Sequence, residues 1–244
     1  MPRADGRRAG ELRPIKIQRG FSSNAPGSVF IQWGGTHVLC TACFSEGVPK
    51  WRAGQGLGWL TAEYDMLPGA THTRRPRNRQ RLDGRTQEIQ RLIGRTLRAV
   101  VDLKRLGENT LQIDCDVIRA DGGTRTAAIT GAYVAVQDAF RYARKAKLIS
   151  QDPFTAAVAA VSVGRVNGRV LLDLDYSEDV GAEVDMNIAM TDAGEFIEVQ
   201  GTGEEATFTR KELDRMLRSA EKGIRELLVL QQRALRRTGA KKRA

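Results

Sequence analysis

The segment Gly122-Gly123-Thr124-Arg125 has the residue types and the placement of a phosphate-binding turn. Glycine lets the backbone approach a ligand closely. The segment lies between a predicted strand and a predicted helix, so the first N–H groups and the dipole of that helix favour an anion. Thr124 adds a hydroxyl group and Arg125 a planar fork of donors. These donors predict a phosphate site, although a strand-to-helix Gly-Gly turn is often only a turn.

Arg85 and Thr86 offer a similar arrangement at the start of another predicted helix. Two such sites in one chain strengthen the phosphate hypothesis more than either does alone. The glycine spacing matches neither the P-loop nor the dinucleotide-binding pattern, so the sequence gives no support for a nucleotide cofactor. His37 and His72 have no neighbouring Ser or Cys with a supporting Asp, and no triad is indicated.

A cluster of six carboxylates within thirteen residues is the second candidate for chemistry. Its members are Asp173, Asp175, Glu178, Asp179, Glu183 and Asp185. Alternation along a predicted strand over 183–191 places Asp185 on one face with Glu183 and Asn187, and Asp179 lies in the predicted loop just before it. Hard carboxylate oxygens suit Mg²⁺ or Mn²⁺. The alternative is a solvated acidic face that balances nearby arginines. A neighbouring phosphate site favours the metal, because phosphoryl transfer needs both parts.

The charge of the chain points to a phosphate-rich partner. The 244 residues carry 39 Lys and Arg against 29 Asp and Glu, a net charge of +10. Much of the excess lies in the Arg-rich segment 74–98, with Arg74, Arg75, Arg77, Arg79, Arg81, Arg85, Arg91, Arg95 and Arg98, and in the acid-free stretch from Arg233 to the end. Such basic segments typically bind nucleic acid, whereas for the last eight residues a solvated tail is an equal alternative.

Composition also bounds the class of protein. The longest uncharged apolar stretch, 156–163, is far too short for a membrane span, and the polar start lacks the apolar segment of a signal peptide. Three cysteines argue against a disulfide framework. We therefore expect a cytoplasmic globular protein that does not engage a membrane.

Strands and helices alternate along the chain in a way that positions these groups. In the first half, a Gly34-Gly35 hairpin joins two β-rich runs, a further strand covers 59–66, and another covers 111–118. A helix with its apolar stripe from Ile89 to Val101, capped by Thr86 and ended by Gly107, precedes that last strand. The helix after Arg125 has its stripe at Ile129, Tyr133, Val136 and Phe140.

The second half is predicted to contain four further strands and one helix. Two hairpins are predicted, one joining 155–166 to 169–175 through Asn167-Gly168 and one joining 183–191 to 195–200. A long helix follows, with a capping box from Thr209 and Glu212. With no linker and no fixed repeat, the pattern predicts one α+β domain, its sheets covered by helices.

Several long motifs in the sequence resemble those of the ribonuclease PH family. These are Arg3-Ala4-Asp5-Gly6-Arg7 with Glu11-Leu12-Arg13-Pro14, Gly58-Trp59-Leu60-Thr61-Ala62-Glu63-Tyr64, Gly84-Arg85-Thr86-Gln87-Glu88, Ala120-Asp121-Gly122-Gly123-Thr124-Arg125, Glu183-Val184-Asp185-Met186-Asn187 and Gln200-Gly201-Thr202-Gly203-Glu204. The resemblance runs from about residue 3 to residue 232. It implies the family's α+β fold, two similar sheet-and-helix halves in one compact catalytic domain over residues 1–232. The basic residues beyond it, 233–244, are predicted to form a flexible tail.

The resemblance also assigns roles to residues. Arg85, Gly123, Thr124 and Arg125 match the family's phosphate-binding positions, and Asp179 and Asp185 match its catalytic acidic pair, which holds Mg²⁺ or Mn²⁺. The Arg-rich loop departs from the family pattern, so the resemblance implies RNA contact by the loop as a whole. Its arginines are Arg74, Arg75, Arg77, Arg79 and Arg81.

The activity implied is that of a tRNA nucleotidyltransferase. Inorganic phosphate is the co-substrate, tRNA precursors and other RNA 3′ ends are trimmed from 3′ to 5′, and nucleoside diphosphates are released. The implied assembly is a homohexamer built as a trimer of dimers. Two alternatives are an inactive RNA-binding ring subunit of an exosome-like assembly and a messenger-degrading phosphorylase, which would resemble two such units with added RNA-binding domains.

Overall fold

A five-stranded sheet forms the first half of the molecule in the computed structural model, which describes residues 3–77 and 83–236. Its strands are β1 (Ile15–Arg19), β2 (Gly27–Trp33), β3 (Thr36–Glu46), β4 (Trp59–Met66) and β5 (Asn109–Arg119). The spatial order is β1-β2-β3-β5-β4, with β4 parallel to β5 and the other neighbours antiparallel. The predicted Gly34-Gly35 hairpin is confirmed as the β2–β3 connection.

A four-stranded antiparallel sheet forms the second half. Its strands are β6 (Val158–Val166), β7 (Arg169–Leu172), β8 (Val184–Thr191) and β9 (Phe196–Gly203), in the order β7-β6-β8-β9. Asn167 and Gly168 have φ values of 49° and 70°, the left-handed pair that a type I′ turn requires. Both hairpins predicted for this half are confirmed.

Four helices complete the described chain. They are α1 (Gly84–Arg98), α2 (Thr124–Lys145), α3 (Tyr176–Val180) and α4 (Arg210–Arg236). Helix α2 contacts β2 and β3 of the first sheet and β6 of the second, so the core continues from one half to the other. Burial on nearly all sides explains its apolar sequence, with Ile129, Val136 and Phe140 at most 1% exposed. The two sheet-and-helix halves confirm the predicted fold class.

Helix α4 covers the second sheet and packs on β6 and β7. The predicted capping box forms at its start, where Glu212 Oε2 accepts from the Thr209 N–H at 2.7 Å and Thr209 Oγ1 accepts from the Glu212 N–H at 3.3 Å. The helix reaches Arg236, so Arg233 and Arg236, which were assigned to the predicted tail, are helical. The rest of that tail, 237–244, lies outside the described residues.

Helix α1 differs from its prediction at both ends. Asp83 caps it instead of Thr86, and its Oδ1 accepts from the Thr86 N–H at 2.6 Å. The helix ends at Arg98, well before Gly107. The helix ends there because Val101, three residues later, forms a β-bridge with Phe154.

Strand β1 and helix α3 are absent from the predicted elements. The five residues of α3 are too few to show a helical period, and its start is fixed by a capping box between Asp175 and Glu178. Asp179 therefore lies in a short helix, and the predicted loop at this position is wrong. No helix in the described ranges is long and apolar enough to cross a bilayer.

Candidate active site

The turn between β5 and α2 leaves a helix N-terminus open to a ligand. Gly122 and Gly123 both have left-handed backbones, with φ values of 71° and 65°. A Cβ atom at Gly122 would lie 2.6 Å from the carbonyl carbon of Asp175, so only glycine fits this close approach. The N-cap residue is Gly123, which offers no side chain to the first N–H groups of α2. These donors are therefore available to an anion, as the sequence predicts.

The hydroxyl groups of Thr36 and Tyr64 hold this turn in place through hydrogen bonds. Thr36 Oγ1 donates to the carbonyl oxygen of Gly122 at 2.6 Å and accepts from the Asp121 N–H at 2.9 Å. The buried Tyr64 hydroxyl donates to Thr124 Oγ1 at 2.8 Å. Burial raises the pKa of Tyr64 to about 12, so this phenol stays protonated and acts as the donor. The hydroxyl hydrogen of Thr124 is then free for another acceptor.

Arg125 reaches from the first turn of α2 to the second half of the molecule. Its Nη1 donates to Gln200 Oε1 of β9 at 2.7 Å and lies 3.4 Å from Glu88 Oε2 of α1. Gln200 Nε2 donates in turn to Glu88 Oε1 at 3.1 Å. This triangle of side chains holds the guanidinium at the wall of a cleft of about 640 Å³.

The two carboxylates predicted to act together do line this same cleft. Asp179 comes from α3 and Asp185 from β8, and Arg85, in the first turn of α1, and Arg125 complete the charged lining. Asn187 lies beside Asp185, with its Nδ2 3.5 Å from Oδ2. Glu183, predicted on the same face, instead forms an ion pair with Arg165 at 2.5 Å.

The surroundings of both carboxyl groups disfavour the ionised form. Burial, followed by the charge of Asp179, raises the pKa of Asp185 to about 6. Burial also raises the pKa of Asp179, although Arg85 and Arg125 act in the opposite direction. Asp185 Oδ1 is buried and has no hydrogen-bond partner among the described residues. An unpaired buried carboxylate oxygen beside a second carboxylate is an arrangement that a cation would relieve.

A second cleft, of about 430 Å³, adjoins the first. The two share Arg85 and Asp179, and the second also reaches Gly123 and Thr124 of the turn. One side is formed by the start of the Arg-rich loop, where Arg75 lines the cleft and donates to Asp83 Oδ2 at 2.7 Å. Arg74 and Arg77 are exposed on the loop, and Arg79 and Arg81 lie outside the described residues.

Several residues of the site were not assigned a role from the sequence. Glu88 and Gln200 hold Arg125, and Tyr176 and His72 line the second cleft with their ring centroids 6.2 Å apart. Gln200 and Glu88 each belong to a motif that resembles the family, and Glu88 lies three residues after Arg85, about one turn further along α1. Tyr176 and His72 had no such signal, because only the fold brings their segments together.

Comparison with known proteins identifies the family of the chain. The model of the 3′ exoribonuclease family matches the chain with its domain 1 over residues 11–141 and its domain 2 over residues 156–223. Ribonuclease PH of Rhodococcus erythropolis is 59% identical over 236 residues, covering 96% of this chain and 90% of that protein. Ribonuclease PH of Corynebacterium efficiens is 58% identical over 235 residues, covering 96% of each.

Solved structures show the same fold at low identity. A chain of the Archaeoglobus fulgidus exosome with RNA bound to the active site superposes with a TM-score of 0.81 at 22% identity, covering 93% of this chain and 92% of that one. Rice Rrp46 gives a TM-score of 0.79 at 18% identity, covering 96% and 100%. From the matched domains and the extent of identity, the chain belongs to the ribonuclease PH family of 3′ exoribonucleases.

Proposed function

We propose that this protein is a phosphate-dependent 3′→5′ exoribonuclease that trims the 3′ ends of tRNA precursors and other RNAs and releases nucleoside diphosphates. One observation carries the proposal: an uncapped helix N-terminus, two arginines and two carboxylates meet at adjoining clefts. Relatives named ribonuclease PH, at 58–59% identity over nearly the whole chain, support it.

Inorganic phosphate is the anion that the turn suits. Gly123 and Thr124 offer backbone N–H groups and a hydroxyl, while Arg125 and Arg85 supply charge from two different helices. Charge-assisted hydrogen bonds from such donors are stronger than neutral ones. Donors from two helices and a backbone turn would fix the orientation of a phosphate as well as bind it, which is what an attacking group requires.

Asp179 and Asp185 are suited to hold Mg²⁺ or Mn²⁺ next to that phosphate. Within residues 3–77 and 83–236 no group of three or more His, Cys, Asp and Glu is placed to hold a metal, so the protein would supply two carboxylates. Mg²⁺ is commonly bound in this way, by one or two carboxylates with water and substrate phosphate as the other ligands. The unpaired Asp185 Oδ1 supports the assignment. When bound, the ion would neutralise charge on the reacting phosphates.

RNA would enter through the second cleft. Arg75 lies at this cleft, and Arg74 and Arg77 are exposed on the adjacent loop. Together with Arg79 and Arg81 they would bind the RNA backbone by charge and not by base sequence. Tyr176, half exposed at the cleft, offers a ring on which a base can stack.

The reaction exchanges one phosphoester for one phosphoanhydride. An oxygen of inorganic phosphate attacks the phosphorus of the terminal phosphodiester in line, and the 3′ oxygen of the preceding ribose leaves. Arg85 and Arg125 offset the repulsion between the two anions. The leaving oxygen needs a cation or a proton. The alternative to metal binding is that a carboxyl group whose pKa is raised donates this proton.

A homohexameric ring, a trimer of dimers, is the assembly we propose. The solved structures with the same fold include an archaeal exosome core, which supports a ring. Light scattering on the purified protein would give the mass of six chains, and a stable monomer would contradict it. The cytoplasmic location stays a prediction.

The decisive experiment is product analysis with a short RNA labelled at its 3′-terminal nucleotide. In phosphate buffer we expect labelled nucleoside diphosphate, and in a non-nucleophilic buffer no trimming. Release of nucleoside monophosphate without phosphate would show a hydrolase. Binding of RNA without any product would favour the alternative, an inactive ring subunit.

A further inference from the structure

The carboxylate of Asp173 is buried between β7 and α3, outside both clefts. It is 1% exposed, and its backbone φ of 57° is a left-handed conformation that residues other than glycine rarely adopt. Its Oδ2 accepts from the Arg13 backbone N–H at 2.7 Å and from Trp33 Nε1 at 2.8 Å, and its Oδ1 accepts from Arg13 Nη2 at 2.6 Å. Several donors from the N-terminal part of the chain therefore hold this residue in place.

Arg13 connects Asp173 to the turn that precedes α2. Its guanidinium, 4% exposed, donates to the carbonyl oxygen of Asp121 through Nη1 and lies 3.4 Å from that of Gly122 through Nη2. These carbonyl groups belong to the peptide units that carry the N–H groups of Gly122 and Gly123. The orientation of the Gly123 N–H, at the start of the anion-binding turn, therefore depends on the peptide that Arg13 holds, because the peptide unit is planar.

A second arginine of the same N-terminal arm, residues 3–14, connects to α3. Arg3 donates to Glu178 through Nε at 2.7 Å and through Nη2 at 2.5 Å, and its Nη1 donates to the carbonyl oxygen of Leu172 at 2.8 Å. Glu178 directly precedes Asp179 in α3 and completes the capping box of that helix. The arm thus holds both the phosphate turn and the helix that carries a catalytic carboxylate.

We propose that Arg13, fixed by Asp173, is a positioning residue for inorganic phosphate, and that the N-terminal arm sets the spacing between the phosphate turn and Asp179. Arg13 lines neither cleft, so it acts through the turn and does not touch the reacting atoms. The inference rests on the proposed function, since it names what the turn is positioned for. Rigid support of this kind matters because small displacements of a reacting group lower the rate steeply.

Arg13→Lys is the test, and Arg19→Lys is its matched control. Lysine keeps the charge beside Asp173 but lacks the planar fork that reaches two carbonyl groups. Arg19 has the same kind of environment away from the clefts, because it pairs with Asp138 at 2.5 Å and donates to the carbonyl oxygens of Ala234 and Leu235. Both variants lose the fork of an arginine that pairs with a carboxylate and with carbonyl groups; the side chain is 4% exposed at Arg13 and 14% exposed at Arg19.

We expect Arg13→Lys to raise the KM for phosphate about tenfold while the KM for RNA stays within twofold of the parent. Arg19→Lys should leave the KM for phosphate within twofold, although both variants lower the melting temperature. Equal changes in phosphate KM for the two variants, or none for Arg13→Lys, would overturn the proposal, because a purely structural role moves stability alone.

Trp33→Phe covers the case in which Arg13→Lys does not fold. It removes one donor to Asp173 and keeps the aromatic bulk, so the KM for phosphate should rise two- to threefold; an unchanged value would overturn the proposal. Phosphate binding, measured by calorimetry on the full chain, separates this inference from the proposed function. Phosphate bound without phosphorolysis would refute the proposed function, whereas phosphorolysis with unaltered phosphate affinity in these variants would refute only the positioning role.

Discussion

The two walls of the cleft come from different halves of the molecule and carry opposite charge. The first half contributes the positive wall, with Arg85 and Arg125 in the first turns of two helices. The second half contributes the negative wall, with Asp179 from α3 and Asp185 from β8. The two arginines and the two aspartates come from different halves, so the site exists only where the two sheets meet around α2.

The walls also differ in whether their charged groups have hydrogen-bond or ion-pair partners. Arg125 has Gln200 and Glu88 as partners, whereas Asp185 Oδ1 has none among the described residues. Burial raises the pKa of both aspartates despite the nearby arginines. Arg125 is therefore paired without a ligand, while the surroundings of Asp185 favour a proton or a cation at its carboxylate. This asymmetry leads to four predictions.

Asp185→Asn tests the negative wall and should have the largest effect. Losing one of two carboxylates removes a metal-binding charge, and turnover should fall at least about a hundredfold. RNA affinity, measured by filter binding, should stay within twofold, because the loop arginines are unchanged. Asp214→Asn, which alters a carboxylate paired with Arg210 on the surface of α4, is the control. Unchanged turnover in Asp185→Asn would refute the metal role.

The same variant should be more stable than the parent at pH 8 without divalent cations. The pKa of Asp185 is about 6 in the fold against 3.8 for an ordinary Asp, so the ionised form favours unfolding. The parent therefore loses stability as the pH rises from about 4 to 6, by up to about 3 kcal/mol, and the variant does not. At pH 8, thermal melts should show a melting temperature for Asp185→Asn several degrees above that of the parent.

Two conditions sharpen this stability prediction. Below pH 4 the parent is protonated at Asp185 as well, so the melting temperatures should converge. Added Mg²⁺ should raise the melting temperature of the parent and leave that of Asp185→Asn nearly unchanged. A variant no more stable than its parent at pH 8 would show that the carboxylate is satisfied in the fold.

Arg125→Ala tests the positive wall. The loss of one charged hydrogen bond to phosphate should raise the KM for phosphate at least about tenfold, on the order of 1.4 kcal/mol. Arg95→Ala is a matched control, since Arg95 also joins the two halves, through Glu198 of β9 at 2.5 Å, but lines neither cleft. Initial rates over a range of phosphate concentration give the comparison, and equal values for both variants would exclude Arg125 from the phosphate site.

Glu88→Gln should have the smallest effect. It should lower the KM for phosphate, whereas Arg125→Ala raises it. Glu88 is half-buried and its carboxylate lies 3.4 Å from Arg125, so it competes with phosphate for the same guanidinium. Pairs at this exposure contribute little, and neutralising Glu88 should lower the KM for phosphate two- to threefold, by about 0.5 kcal/mol. Glu198→Gln serves as the control. A higher KM would mean that Glu88 is needed to orient Arg125.

The sequence predicted the elements with strong local signals. Hairpins at Gly34-Gly35 and Asn167-Gly168, the stripe of α2 and the capping box at Thr209 all formed as expected, because turn chemistry and side-chain period act over a few residues. The end of α1 and the short helix α3 were missed, because the β-bridge from Val101 to Phe154 and the brevity of α3 leave no periodic signal.

The residue types of the site were also determined by the sequence: a Gly-Gly turn with Thr124 and Arg125, and a pair of aspartates. Only the tertiary structure placed them together, since Arg125 and Asp185 are sixty residues apart and belong to helix α2 and strand β8. It also decided that Asp185 Oδ1 is buried with no hydrogen-bond partner in the part of the chain that the structure describes, and that Arg13 donates to a carbonyl oxygen of the turn. Burial and long-range contact depend on the packing of the two halves, which no local pattern encodes.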